Sequence, residues 1–488
     1  MNEDKFVQLC EFLANIDLFG TRPPPPPWLQ RNSPLKDIRS AIEAGRPNIP
    51  LAFDSAFIAP LESQLARLVA ASDRDTTFIE TLGGAVYEHG PGYELAAHLR
   101  RFLAVISDLY QSFLDRKKRV VADFPLRETL PPLAAFKYRG DDGPFTIPVD
   151  AVEQFVGGSV GVVSLPAVYA NHPVLWAALA HETGGHDVVH AEEGLLAELQ
   201  QGLGTAIAEI SVPGVRPDQL VALWSYWMDE AVADVYGLLN VGPAFVPNLA
   251  AFFSALRSKP EAGGFSVPKI SMRSVSPAGG PLDVHPTDIL RIHLGMGVID
   301  SFAALNAAQR EVYIATCQQL ASVCASGDGV ELSGMVAVGG NDTIEIKAVM
   351  PLADMREAAR CVGRFIATTR LSSLGGHSIQ EIETWDDGDE KHAIRIRDAL
   401  TAGQPIAALG DDADLLAGAT LRLLDAPDTY PAVTAALVAG FDQSFATDPV
   451  WGLPVAEPIF VKQSPAAVAP PTRTDDSPGE RRRRGHRR

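Results

Sequence analysis

The segment 181–187 reads His-Glu-Thr-Gly-Gly-His-Asp and follows an apolar run at 175–180. Neutral imidazoles are ordinary zinc ligands, and a carboxylate beside them can take a proton from metal-bound water. These residue types predict a catalytic zinc site. In that site His181 and His186 bind Zn²⁺, and Glu182 acts as the general base.

The five-residue spacing of these histidines is unusual for one helix. The common zinc-peptidase motif places two histidines at i and i+4, on one helix face. On a regular helix i+5 lies about 140° away, at roughly 100° per residue, so the two side chains would point apart. A π-turn with one additional residue would bring them together. Gly184 and Gly185 lie inside that turn and predict the backbone freedom that it requires.

A later helical segment supplies a third candidate ligand. Residues 227–237 are mainly apolar but contain Glu230 and Asp234, which lie four residues apart and share one helix face. Two acids on one face of an apolar helix predict a functional role. We expect Glu230 to bind zinc, and Asp234 to accept a hydrogen bond from the outer N–H of a ligand histidine.

The two motifs together resemble those of the gluzincins, which are zinc metallopeptidases. The dipeptidyl peptidase III family has HExxGH followed by EExxA(E/D), and this chain has HETGGH at 181–186 and DEAVAD at 229–234. Asp229 departs from the first acid of the family pattern without changing a ligand. The resemblance covers about residues 160–300, and from it we infer the zincin core and do not infer the dipeptidyl specificity.

The resemblance implies the same roles for the residues that match. His181, His186 and Glu230 would bind Zn²⁺, Glu182 would be the general base, and the substrate would be a peptide or protein. In zincins a strand before the motif helix typically pairs its edge with substrate. That role is implied for residues 161–165, and a plain core strand is the open alternative.

A further resemblance concerns residues 285–293. A His-Pro segment that leads to an arginine recurs downstream of the glutamate ligand in several gluzincin families. His285 or Arg291 can therefore be expected to stabilise the oxyanion of a tetrahedral intermediate. The hydroxyl of Tyr226 is a further candidate donor. The alternative for His285 and Arg291 is helix capping and a salt bridge to an acid.

Two alternatives remain open for the motif itself. His186 and His190 are four residues apart and could form a ligand pair without a π-turn, with Asp187 as the base. The protein could also be a catalytically inactive zincin-like scaffold that binds partners. The set of His181, Glu182, His186 and Glu230 favours a working enzyme, because no structural need requires all four.

The charge of the chain limits its partners. The 488 residues carry a formal net charge of −19, although residues 481–488 contain six arginines. An acidic body argues against nucleic-acid binding by the fold itself. The arginine-rich tail is the exception, since it could contact nucleic acid, acidic surfaces or the body of the protein.

Cysteine usage and hydropathy predict a cytoplasmic protein. Cys10, Cys317, Cys324 and Cys361 are scattered without a CxxC pair, which is typical of a reducing compartment. The first residues lack a basic region followed by an apolar core. The sequence also lacks an uninterrupted apolar run of about 18 residues, so we expect no membrane association. The oligomeric state is not fixed by the sequence.

The predicted fold class is α+β and mostly helical, with a zincin-like metallopeptidase core and flanking helical regions. Strands are expected at 136–138, 145–149, 160–165 and 343–349. The predicted regions are an N-terminal helical region at 1–130 with the proline run Pro23–Pro27, a catalytic domain at 131–325, a mostly helical region at 326–463, and a disordered Arg-rich tail at 464–488.

Overall fold

The structure is a computed structural model of the chain. Two predicted segments, the proline run Pro23–Pro27 and the tail at 464–488, lie outside the residues that it describes. The described residues are 3–14, 34–70, 77–114, 130–137, 144–191, 194–257, 270–277, 279–339 and 342–451.

Helices dominate the described residues, which confirms the mostly helical α+β class. The α-helices are α1 (Glu3–Ala14), α2 (Pro34–Gly45), α3 (Ala59–Ala70), α4 (Thr77–Tyr87), α5 (Ala96–Leu114), α6 (Val149–Val156), α7 (Ala177–Ala180), α8 (Val188–Ala191), α9 (Leu195–Ala206), α10 (Pro217–Tyr226), α11 (Met228–Val241), α12 (Phe245–Arg257), α13 (Asp288–Ser301), α14 (Ala307–Cys324), α15 (Leu352–Thr368), α16 (Ile379–Ile382), α17 (Asp387–Thr401), α18 (Asp412–Asp425) and α19 (Tyr430–Thr447).

A small mixed sheet precedes the motif helix. It contains β1 (Leu133–Lys137), β2 (Phe145–Ile147) and β3 (Val162–Pro166) in the order β1-β3-β2. Strand β3 pairs in parallel with β1 and antiparallel with β2, so both of its edges are hydrogen-bonded over Val162–Ser164. The expected substrate pairing of residues 161–165 is therefore wrong for these positions, and the plain core strand describes them.

A second sheet lies beside the helices that carry the acids. It contains β4 (Arg273–Val275), β5 (Gly329–Gly339) and β6 (Asp342–Pro351), with β4 parallel to β5 and β5 antiparallel to β6. The expected strand at 343–349 is confirmed as β6, whereas β5 was not predicted. This sheet crosses the predicted boundary at residue 325, and the division into four regions stays a prediction.

Helix α11 is the central element of the large apolar core. All of its residues except Asp229 are buried, so apolar side chains surround it on every face. Its small residues let other backbones approach closely. A Cβ added at Gly237 would lie 2.6 Å from the ring of Phe245 and 3.2 Å from the backbone nitrogen of His181. The acids of α11 are therefore held directly against the motif segment.

One described stretch, Met228–Ser254, is long and apolar enough to cross a membrane. Its most apolar window is completely buried inside the protein, where it forms part of the core. The stretch is therefore not evidence of a membrane span.

A buried carboxyl at the start of α18 predicts a pH-dependent stability. Asp412 is 2% exposed and lines a cavity of about 250 Å³ together with Asp108 and Asp448. Its Oδ2 has no hydrogen-bond partner among the described residues. Burial, helped by Asp411 and Asp448, raises the pKa of Asp412 to about 7. The stabilising contribution of the neutral carboxyl is thus complete below about pH 4 and is lost as pH rises through about 7.

We expect Asp412→Asn to stabilise the protein at pH 8.5 by up to a few kcal/mol and to have little effect at pH 4.5, because the amide stays neutral at both values. Thermal unfolding of both proteins at the two pH values measures this difference. Asp425→Asn changes an exposed residue at the other end of α18 and serves as the control. If Asp412→Asn changed the stability equally at the two pH values, the raised pKa of Asp412 would be contradicted.

Candidate metal centre

The motif segment folds as the predicted π-turn. Residues His181–Asp187 form a π-helical segment between α7 and α8, so the chain continues as one helix with additional residues in this turn. The rings of His181 and His186 lie with their centroids 4.9 Å apart and their planes at 87°. The expectation that a π-turn brings the two imidazoles together is confirmed.

The two glycines of the turn serve a different purpose from the one predicted. Neither Gly184 nor Gly185 has a positive φ angle, so the turn does not require glycine for its backbone conformation. A Cβ at Gly185 would instead lie 2.5 Å from the Cα of Ala233, and one at Gly184 would lie 2.5 Å from the Nδ2 of Asn240. The glycines allow the π-turn to pack against α11.

Glu230 lies between the two histidines. Its Oε2 is 3.2 Å from the Nε2 of His181, and its Oε1 is 3.5 Å from the Nε2 of His186. One donor atom from each of the three residues lies within 4.8 Å of the others. Ligands about 2.1 Å from a single zinc ion are about 3 to 3.5 Å apart, so the three side chains fit one ion with small adjustments.

The electrostatics of this group also suit a cation. The Oε2 of Glu230 is buried and has no hydrogen bond among the described residues. Burial favours the neutral form of His186, but hydrogen bonds to Asp229 and Glu230 outweigh it and raise the pKa of His186 well above its usual value. The histidines in turn outweigh burial at Glu230 and hold its pKa well below the usual range. Positive charge is therefore favoured between these side chains, and a bound cation would replace the protons.

Asp234 fixes the orientation of His181 from behind. Its Oδ1 accepts a hydrogen bond of 2.9 Å from the Nδ1 of His181, which leaves Nε2 directed toward Glu230. Arg291 donates to both oxygens of Asp234, through Nε at 2.7 Å and Nη2 at 2.7 Å. This bidentate pair is almost completely buried, and the guanidinium also lies 4.8 Å from the ring centroid of Phe253.

We expect Asp234→Asn to destabilise the protein by about 3–5 kcal/mol, because the buried guanidinium of Arg291 would lose its carboxylate partner. Any metal ion held through His181 should also bind about 10–100-fold more weakly, since the amide orients His181 more weakly. Urea unfolding and a competitive zinc titration measure the two effects. Asp218→Asn removes an exposed ion pair with Arg216 and should change neither quantity noticeably. Unchanged stability of Asp234→Asn would show that the buried salt bridge between Asp234 and Arg291 does not stabilise the fold.

The three predicted oxyanion donors, Arg291, Tyr226 and His285, differ in their exposure and in their hydrogen-bond partners. Arg291 forms the buried salt bridge that was its alternative, and its guanidinium is occupied by Asp234. The hydroxyl of Tyr226 donates to the backbone oxygen of Leu282 at 2.7 Å. His285 is the exposed one of the three, with Nε2 at 3.1 Å from the Oε1 of Glu230. Both His285 and Arg291 border the cleft, and the Nη2 of Arg291 also lies 3.2 Å from the Nδ1 of His181. His285 likewise pairs with acids, since its Nδ1 lies 2.8 Å from Asp283, but it is more exposed to the cleft than Arg291.

A chain of polar contacts behind His186 was missed by the sequence analysis. The Nδ1 of His186 lies 3.4 Å from Asp229, and the other oxygen of Asp229 lies 3.3 Å from the Nε2 of His190. The Nδ1 of His190 contacts Asp150 at 3.1 Å. Asp229 therefore contacts the Nδ1 of His186 in the same way that Asp234 contacts the Nδ1 of His181. The one feature of the sequence that could have indicated this contact is that Asp229 directly precedes Glu230.

The same contacts bear on the alternative ligand pair. His186, His190 and Asp229 also bring one donor atom each within 4.8 Å, so this second group is geometrically able to hold an ion. The side chain of Asp187, the expected base of that alternative, lies outside the described residues. Compared with this group, the group of His181, His186 and Glu230 is more deeply buried.

Glu182 is positioned by the first sheet. The hydroxyl of Thr146, in β2, lies 2.8 Å from the Oε2 of Glu182 and 2.9 Å from its backbone oxygen. The side chain is largely buried, yet it lines the cleft beside His181. Thr146 therefore holds one carboxylate oxygen and leaves the other available toward the cleft.

The cleft in front of these residues has a volume of about 790 Å³. One wall is apolar and includes Leu249, Phe252 and Phe253 from α12. Other lining residues are polar and include Ser271 and Arg273, the first residue of β4. A cleft of this size accommodates several residues of an extended chain or a ligand of comparable size.

Comparison of the chain with models of protein families, with curated protein sequences and with solved structures gave no match. The resemblance to gluzincins therefore rests on short sequence motifs alone.

Proposed function

We propose that this protein is a zinc-dependent peptide hydrolase with a zincin-like core. The observation that carries the proposal is the convergence of His181, His186 and Glu230 from a π-turn and a separate helix, with one buried oxygen of Glu230 that lies 3.2 Å from the Nε2 of His181 but makes no well-aligned hydrogen bond. Two imidazoles and one carboxylate with an open position form a typical catalytic zinc donor set. Glu182 borders the same cleft, where a substrate carbonyl would enter.

Zinc in such a site acidifies water and polarises a carbonyl oxygen. In our proposal the carboxylate of Glu182 accepts the proton of the attacking water and returns it to the leaving amine. Thr146 holds that carboxylate by a hydrogen bond of 2.8 Å, which limits its rotation. The Nδ1 of His285 is paired with Asp283 and its Nε2 lies beside Glu230, so His285 would donate to the developing oxyanion only after its Nε2 leaves the Oε1 of Glu230.

Two features favour a peptide as the substrate. The cleft combines an apolar wall with hydroxyl and guanidinium groups, a mixture that suits the side chains and backbone of a peptide. The acidic net charge of −19 disfavours a polyanionic substrate such as nucleic acid.

We expect the purified protein to contain zinc and to cleave members of an unbiased peptide library. Chelation should abolish cleavage, and added zinc should restore it. Zinc content by elemental mass spectrometry, measured together with cleavage, tests the proposal. Zinc bound at His181, His186 and Glu230 without cleavage of any peptide would instead support the inactive scaffold. Cleavage that persists after complete removal of metal would contradict the mechanism.

A further inference from the structure

A second group of potential metal ligands lies in the C-terminal helices, on elements that the candidate metal centre does not use. Asp389 and His392 lie three residues apart on α17, so they share one helix face. Asp414 faces them from the first turn of α18. One donor atom from each of the three residues lies within 4.8 Å of the others.

We propose that Asp389, His392 and Asp414 form a second site for a divalent transition-metal ion, which ties the start of α17 to the start of α18. An imidazole with two carboxylates is a donor set for Zn²⁺ or Mn²⁺, with water in the remaining positions. The Nδ1 of His392 and the Oδ2 of Asp414 are 2.9 Å apart, close to the separation of adjacent ligands on one ion.

The geometry of the two carboxylates is fixed by capping boxes. The backbone N–H of Asp386 donates to Asp389 at 2.7 Å, and the backbone N–H of Asp411 donates to Asp414 at 3.3 Å. The side chains of Asp386 and Asp411 cap the same two helices in return. Asp389 and Asp414 therefore hold their positions whether or not an ion binds, which lowers the ordering cost of binding.

The local charge balance favours a cation. Four carboxylates meet here, and among the described residues no lysine or arginine lies within ion-pair distance of Asp389 or Asp414. The two helix N-termini together contribute only about one positive charge. His392 is the remaining side chain that can carry positive charge at this point.

Asp414, on the inner side of the group, is almost completely buried. The side chain of His392 is 40% exposed, so solvent and metal ions can reach the group.

The experiment counts zinc on the full chain after dialysis against micromolar free Zn²⁺, with elemental mass spectrometry as the readout. We expect His392→Gln and Asp389→Asn each to lose one equivalent of zinc relative to wild type. Peptidase activity should stay unchanged, because neither residue lies at the proposed catalytic centre. A separate readout is the zinc-induced rise in Tm, which should be smaller in both variants.

Two control variants should keep the full number of zinc ions. His377→Gln removes another partly exposed histidine beside a carboxylate, and Asp425→Asn removes an exposed acid from the far end of α18. Equal zinc content in His392→Gln, Asp389→Asn and wild type would overturn the inference. Two variants at separate positions keep the test decisive if one of them fails to fold. The result does not depend on whether the protein hydrolyses peptides.

Discussion

Glu182→Gln is expected to lower peptide cleavage by about 10²–10⁴-fold and to leave zinc bound. The amide has the shape of the carboxylate and can still accept the hydrogen bond of Thr146, but it accepts no proton from water. Since His181, His186 and Glu230 are unchanged, metal affinity should stay close to that of wild type. Cleavage assays with saturating zinc, together with the zinc content, measure the two properties.

The matched control for this prediction is Glu153→Gln, which makes the same chemical change at an exposed position of α6. It should cleave peptides at the wild-type rate. If Glu182→Gln cleaved peptides at the full rate with zinc bound, Glu182 could not be the general base. If Glu182→Gln lost zinc as well, its carboxylate would be acting as a ligand rather than as a base.

Gly185→Ala is expected to break the contact between the π-turn and α11. The added methyl group would lie 2.5 Å from both the Cα and the Cβ of Ala233 and 3.0 Å from its backbone oxygen. Backbone atoms of a buried helix give way little, so the turn must move and carry His186 away from Glu230. We expect a loss of about 1–3 kcal/mol of stability and a fall in zinc affinity of roughly tenfold or more.

Gly204→Ala provides the control for this change. Gly204 lies in α9, and a Cβ there would have its nearest contact at 4.0 Å, from a methyl group of Val221. Alanine should be neutral or stabilise the helix by up to about 1 kcal/mol. Urea unfolding and zinc titration of both variants make the comparison. A Gly185→Ala protein with wild-type stability and zinc affinity would show that the close packing is not required.

The sequence predicted the parts of the centre that follow from local periodicity. The spacing of His181 and His186 required one additional residue in a helical turn, and the structure contains that π-turn. The i,i+4 pair of Glu230 and Asp234 likewise indicated one helix face directed at the histidines, and both acids contact His181.

The parts that were missed depend on contacts between distant segments. Thr146 in β2 contacts Glu182, and Asp150 at the start of α6 contacts His190. No spacing rule in the sequence connects these pairs. The reason for Gly185 was misjudged in the same way, because its neighbour Ala233 is 48 residues away in the chain.

Strand β5 shows a different limit of sequence analysis. Buried Val330, Leu332 and Val336 follow the period of two that a strand requires. Gly334 interrupts this apolar pattern, and a Cβ there would lie 3.0 Å from the backbone of Leu282. Gly334, which breaks the apolar alternation, is thus the residue that lets another segment pack against the strand.

The most direct test of the central claim is anomalous X-ray diffraction at the zinc absorption edge from crystals of the zinc-loaded protein. We predict an anomalous peak about 2.0–2.2 Å from one nitrogen of His181, one nitrogen of His186 and a carboxylate oxygen of Glu230. A peak held instead by His186, His190 and Asp229, or the absence of zinc from all of these residues, would contradict the account.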